Sequence, residues 1–290
     1  MQDIIIIRYS EIGLKSKQVR RKLERLLAGN IKAAFAQAGN DCSLRRGYGR
    51  IYLRADAAAA RRILPYVFGI SSYSVCQAAA ANMEAITALA AIAAKRIGKD
   101  NTFKVAATRA GVHSFTSMDI NRQAGRVIEQ QTGARVNLSR PDLTVSIEVR
   151  DKEAYVYTEK KECGRGLPLG SQGTVLAVIR NRKDAIACWL MMRRGCLPTL
   201  AFCCTPAQEK TLYSLLANWA PGTKLETERL PAIDLAGTKG VAARHGAIAL
   251  CSATTLPFSK EDIGLPCFNP LALWKKADIS LFLRQPGKLT

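Results

Sequence analysis

The chain opens on four consecutive apolar residues, Ile4 to Ile7, the length of one buried strand. From Lys15 to about Ala38, Val19, Leu23, Leu26, Leu27, Ile31, Ala34 and Phe35 recur at three- and four-residue steps. That spacing predicts an amphipathic helix, with Lys15, Lys17, Arg20, Arg21, Lys22, Arg25 and Lys32 on its polar face. Leu44 to Arg54 predicts a hairpin with Gly47 and Gly49 flanking the turn. A helix over Ala57 to Val67 and a strand over Ile70 to Cys76 complete a β-α-β-β-α-β order, the ferredoxin-like split motif.

A second unit follows. It reads as a helix over Met83 to Ile97, a strand over Thr102 to Ala107, and a helix capped by Ser117 or Asp119 that stops before Gly133. Alternation then predicts strands over Thr144 to Val149 and Ala154 to Thr158. Residues 163–171, rich in Gly and Pro, read as a linker or turn-rich loop and a domain boundary. Beyond it strands and helices alternate: strands at Val175 to Ile179, Thr199 to Cys204, Lys224 to Leu230 and Ala247 to Cys251, and helices at Asp184 to Arg194, Pro206 to Trp219 and Leu235 to His245. Such alternation predicts a doubly wound parallel sheet, so the fold class is α/β with an α+β N-terminal half.

Charge selects a partner class. The formal net charge is +20 over 290 residues, against the roughly 2 to 8 that solubility asks of a small domain. Residues 1–55 carry +8 of it and residues 166–290 carry +7, so the excess belongs to folded segments and not to a tail. A basic surface of that extent suits a long polyanion, nucleic acid above all. An apolar fraction of 48% excludes a wholly disordered chain. The apolar run at Ile4 is too short for a signal-peptide core, and the Ala-rich stretch 78–94 carries Asn82 and Glu84, so neither export nor a membrane span is expected. Nine cysteines without regular spacing then read as free thiols in a reducing cytosol. With two histidines far apart, no metal site is expected.

Four stretches carry a family resemblance. They are Arg8-Tyr-Ser-Glu-Ile-Gly-Leu-Lys15-Ser-Lys17 with Arg20 and Arg21; Phe103 to Arg109 through His113-Ser-Phe115 to Gly125; Arg140-Pro-Asp142 with Val145 to Val149; and Gly164-Arg-Gly166-Leu-Pro168-Leu-Gly170-Ser. In this order they resemble the tRNA 4-thiouridine synthetase (ThiI-type) family. The resemblance implies a ferredoxin-like domain over 1–75, a THUMP domain over 76–165 and a PP-loop ATP pyrophosphatase-like domain over 172–290, here shortened. It implies a cytoplasmic protein that grips the acceptor end of tRNA, with Lys15, Lys17, Arg20, Arg21, Arg109, His113 and Arg122 as RNA-binding candidates. It also implies a homodimer; a separate catalytic or sulfur-donating protein is a further candidate partner.

The phosphate loop breaks the pattern. The family's Ser-Gly-Gly-x-Asp-Ser lets backbone amides approach phosphate at a helix N-terminus. At that position this chain reads Arg180-Asn181-Arg182-Lys183-Asp184-Ala185, with both glycines and both serines replaced and Asp184 kept. The new cations can attract phosphate only as flexible side chains, so ATP binding is expected to be lost and no cofactor is expected. Asp184 and Cys196 are the catalytic remnants, and an active tRNA sulfurtransferase with a remodelled site is the alternative. Cys196, Cys251 and Cys267 also read as small buried hydrophobes. Cys203 and Cys204, adjacent on a strand, point to opposite faces. Phe115 reads equally as a stacking residue or as core. Tyr48, in the hairpin turn beside Arg45, Arg46 and Arg50, can pack on a ribose or base, although an exposed turn tyrosine needs no function.

Overall fold

The computed structural model describes residues 3–9 and 11–275; Ser10 of the first motif and the end of the expected third domain, 276–290, lie outside the described residues. The first elements are β1 (Asp3–Arg8), a 3₁₀ turn (Glu11–Leu14), α1 (Lys17–Gln37), β2 (Ser43–Gly47), β3 (Arg50–Ala55), α2 (Ala57–Ile63) and β4 (Ser72–Ala80). Next come α3 (Met83–Ala94), β5 (Thr102–Ala110), α4 (Ser117–Thr132), β6 (Arg135–Val136), β7 (Leu143–Arg150), β8 (Glu153–Tyr157) and β9 (Lys161–Glu162). The chain continues with β10 (Thr174–Ile179), α5 (Arg182–Arg193), β11 (Leu197–Phe202), α6 (Pro206–Ala217), β12 (Thr227–Arg229), α7 (Leu235–Arg244), β13 (Ala249–Cys251), α8 (Lys260–Ile263) and β14 (Cys267–Phe268). One sheet runs β2-β3-β1-β4-β8-β7-β5-β6 with β9 on β4, and the other runs β12-β11-β10-β13-β14.

Among the described residues, tertiary contacts divide the chain into one unit of residues 3–6, 52–57 and 73–161, and another of 7–9, 11–51, 58–72 and 162–275. In the first unit, α3 and α4 cover one sheet face through Ile86, Ala90, Ile120, Ala124 and Ile128 against Val145, Ile147 and Val149. Period-two alternation sends Ala154 and Val156 into that core and Tyr155 to the other face. There Tyr155 stacks on Tyr52, ring centroids 5.1 Å apart.

In the second unit, β10 pairs in parallel with both β11 and β13. Ala177, Ile179, Leu200 and Phe202 pack on α5 and α6, while Leu176, Val178 and Ala201 pack on the α7 and α8 side. Both faces are therefore covered, which is why these strands read as continuous apolar runs. Phe68, Trp189 and Trp219 form an aromatic cluster in this unit, with centroids 5.2–5.5 Å apart. The Gly/Pro-rich stretch is tied down: Arg165 N–H donates to Ile70 C=O and Leu167 N–H to Arg193 C=O.

Several boundaries differ from the sequence expectation for local reasons. The cap of α4 is Thr116, one residue before the expected Ser117; Asp119 is its capping-box partner at the third helical position. The helix expected over 57–67 ends at Ile63 and tightens into a 3₁₀ turn over Leu64–Tyr66, because Pro65 disfavours α geometry in the residue before it. The strand expected over Lys224 to Leu230 keeps three residues, and that over Ile70 to Cys76 runs on to Ala80. Strands β6, β9 and β14 are too short to leave a period in the sequence. Among the described residues, no helix is long and apolar enough to cross a membrane.

Candidate nucleic-acid interface and the crevice at the strand ends

The basic helix face is built at the start of α1. Lys15 precedes the helix and is exposed. Lys17, Arg20, Arg21, Glu24 and Arg25 follow at helical spacing, so they share one face. With Arg46, Gly47 and Tyr48 of the hairpin they line a cleft of about 950 Å³. Glu24 is buried and accepts a hydrogen bond from the Tyr9 phenol. Burial first, then this bond to a carboxylate, push the Tyr9 phenol well above its ordinary range. Arg20 lies 3.9 Å from Glu24 and 5.0 Å from the Tyr48 ring centroid.

The other RNA candidates lie on β5, α4 and the segment joining them. Arg109 is exposed near the end of β5, and its Nη1 donates to Gly111 C=O at 3.4 Å. The Asp151 carbonyl only accepts, so His113 Nε2–H donates to it, at 2.7 Å. The ring tilts on Phe115 at 5.4 Å, and Phe115 packs against the core of α3 and α4. Arg122 is exposed on α4.

The parallel sheet has its order reversal at β10, between β11 on one side and β13 on the other. Open α/β sheets take ligands at such a switch point, beyond the carboxyl ends of the strands. Here the two strand ends are bridged. Arg180, the residue after β10, donates from Nε and Nη2 to Asp184 at 2.9 and 2.8 Å, and from Nη2 to Ser252 Oγ, after β13, at 2.6 Å. Asp184 is 1% exposed and also accepts from the Arg180 and Ala253 amides, at 3.1 and 2.9 Å. Asp184 holds the Arg180 guanidinium above its already high range. Asn181 Oδ1 takes the amides of Lys183 and Asp184 at 2.9 and 3.4 Å. Those are the α5 N-terminal donors that an anion would otherwise engage.

Arg180 is thus not the flexible cation of the sequence expectation, and Asp184 faces inward. Ser252 was invisible in the sequence because it stands 72 residues from Arg180. Beside this bridge, Arg180, Phe202, Cys203, Cys204, Gln208 and Arg229 are among the residues lining a cavity of about 510 Å³. Cys203 packs on the α7 side of the sheet and Cys204 on the α5 and α6 side, as adjacent positions require. Cys196 is 7% exposed among Val175, Ala249 and Met191, and burial raises its thiol pKa. Reactive thiols show the opposite shift. Cys251 is buried and Cys267 exposed. Among the described residues, no group of three or more His, Cys, Asp or Glu could hold a metal ion.

Comparison with known proteins places these features. Residues 4–74 match the ThiI ferredoxin-like domain and residues 80–159 the THUMP domain. A probable tRNA sulfurtransferase of Methanobrevibacter smithii is 40% identical over 202 residues, 67% of this chain and 52% of that protein. One from Methanosarcina acetivorans is 33% identical over 245 residues, 79% of this chain and 60% of that protein. The chain therefore spans about half to three fifths of the length of these relatives. Among solved structures, PH1313 from Pyrococcus horikoshii superposes with TM-score 0.84 at 26% identity, covering 98% of this chain and 99% of that one. A 4-thiouridine synthetase in complex with RNA and ATP shares the fold, with TM-score 0.80 at 21% identity over 98% of this chain and 84% of that one. With both N-terminal domains matched in order and a doubly wound parallel sheet after them, the chain belongs to the ThiI-type family.

Proposed function

We propose that this protein binds tRNA at its acceptor end in a tRNA-modification role and does not adenylate it. The reading takes the domains as 1–75, 76–165 and 172–290, with Lys15, Lys17, Arg20, Arg21, Arg109, His113 and Arg122 contacting RNA. The THUMP match and the +20 charge support the RNA half. One observation supports the other half: the Arg180–Asp184–Ser252 bridge ties the two strand ends at the switch point together with internal hydrogen bonds. Asn181 likewise occupies the amides at the helix start. Phosphate would have to compete with an ion pair whose carboxylate is fully buried, where a glycine loop would offer free amides. Adenylation is then the task of a separate protein to which this one presents tRNA.

The test has two arms. Intact tRNA should bind clearly tighter than tRNA trimmed of its 3′ end at about physiological salt, where nonspecific attraction has weakened. Titration calorimetry with ATP should show no binding at millimolar nucleotide. Equal affinity for both tRNAs sinks the acceptor-end reading, and ATP-dependent pyrophosphate release in the presence of tRNA sinks the loss of adenylation. The second reading is an active tRNA sulfurtransferase with a remodelled site, favoured by the relatives' names and the cavity lined by Cys203 and Cys204.

A further inference from the structure

The cleft at the start of α1 has features that simple phosphate attraction does not require. Its first helical turn holds no acidic residue, and Ser16 makes no side-chain cap bond. Lys17, Arg20 and Arg21 therefore stand at the positive end of the helix dipole, where cations are disfavoured, and Lys17 and Arg21 repel each other at i,i+4. This placement runs against the helix dipole, a local conflict of the kind found at ligand sites. The charge is also ordered. Tyr9 donates to Glu24, and buried Glu24 lies beside Arg20. Arg20 sits against the Tyr48 ring at 5.0 Å, and its side chain is only 21% exposed. Tyr48 is 79% exposed, so a large part of its ring faces solvent. The hairpin turn presents that ring through Gly49, whose φ of +71° lies in the left-handed region.

We propose that Tyr48, backed by Arg20, is a stacking platform for one unpaired RNA base. Lys17, Arg21, Arg25 and Arg46 around the same cleft hold the flanking phosphates. An exposed ring next to an arginine offers the sequence-tolerant stacking that single strands use. Bases inside a duplex are already stacked and cannot reach it. The inference deepens the RNA-binding reading by giving the ferredoxin-like segment a preference for single-stranded RNA, and it does not require tRNA to be the source.

The test uses the full chain and three probes: a short oligouridine, a blunt RNA duplex with the same number of phosphates, and uridine monophosphate. Tyr48→Ala should weaken oligouridine binding by about tenfold, the scale of one lost base stack, and leave the duplex within about twofold. Tyr48→Phe keeps the ring and should bind like the parent. The position is an exposed turn, and circular dichroism of each variant checks the fold. The proposal is overturned if oligouridine does not bind, if Tyr48→Ala binds it like the parent, or if the duplex suffers equally. Uridine monophosphate binding as tightly as the oligonucleotide overturns it too, since a free nucleotide would then suffice. Trimmed and intact tRNA binding alike would sink the acceptor-end reading without touching this one.

Discussion

Arg180 and Asp184 form a two-pronged ion pair across the start of α5, with Nε–Oδ2 at 2.9 Å and Nη2–Oδ1 at 2.8 Å. The carboxylate has no exposed side-chain surface, whereas the arginine side chain is 25% exposed. Removing the acid therefore strands a guanidinium and the Ala253 amide together. Asp184→Ala should lose about 3 kcal/mol of stability, read as a lower urea midpoint. Arg180→Ala should lose less, because two backbone amides still hold the carboxylate. The double variant should be more stable than the sum of the single losses implies. Strict additivity would mean that the pair contributes nothing.

Cys196 should be inert in the folded protein. It is 7% exposed and its pKa is raised by burial. Iodoacetamide at mildly alkaline pH, followed by peptide mass spectrometry, should label exposed Cys267 and leave Cys196 unmodified until denaturant is added. Labelling of native Cys196 ahead of Cys267 would restore it as a candidate nucleophile.

Two glycines should respond to alanine with opposite signs. Gly166 has φ +78°, and a Cβ there would lie 2.1 Å from the Arg193 carbonyl oxygen. Gly166→Ala should cost about 2–4 kcal/mol, since backbone and not a flexible side chain must yield. Gly125 is inside α4 with nothing within 4 Å of a built Cβ, so Gly125→Ala should stabilise by about 0.5–1 kcal/mol. Thermal unfolding of the two variants distinguishes the signs.

Phosphate contacts are visible in the salt dependence. If Lys17, Arg109 and Arg122 each neutralise a phosphate, alanine at any one of them should reduce the slope of log affinity against log salt by about 0.7–0.9. An unchanged slope removes that residue from the interface.

Acid should weaken the cap of α4. The Thr116 side-chain bond, then its backbone bond, lowers the Asp119 pKa below the ordinary carboxylate range. The folded-state pKa lies below the unfolded one, so the stabilisation is complete near neutral pH. It is lost as pH falls through the ordinary carboxylate range and then the lower folded value. Asp119→Asn should destabilise the protein at neutral pH and show a smaller further loss on acidification, followed by unfolding midpoints across pH 2–7.

The sequence by itself determined the order of the longer elements, the ferredoxin-like and doubly wound patterns and the basic face of α1. Each of these is written in local periodicity or in residues a few positions apart, and side chains at i and i+4 or i and i+2 share a face whatever the rest of the chain does. Boundaries were legible only where a local stop stands, as Gly133 does after α4. The two-residue strands β6, β9 and β14 owe their existence to neighbours and left no signal. Tertiary structure alone decided how the loop at Arg180 is held. Arg180 alone in a sequence is a long cation free to meet phosphate. Only when β10 and β13 lie side by side does Ser252, 72 residues away, come within 2.6 Å of it. The same holds for Tyr48: the sequence places it beside Arg45, Arg46 and Arg50, and only the fold brings Arg20 of α1 against its ring. Polar partners distant in the chain are chosen by burial and geometry, which no local pattern encodes.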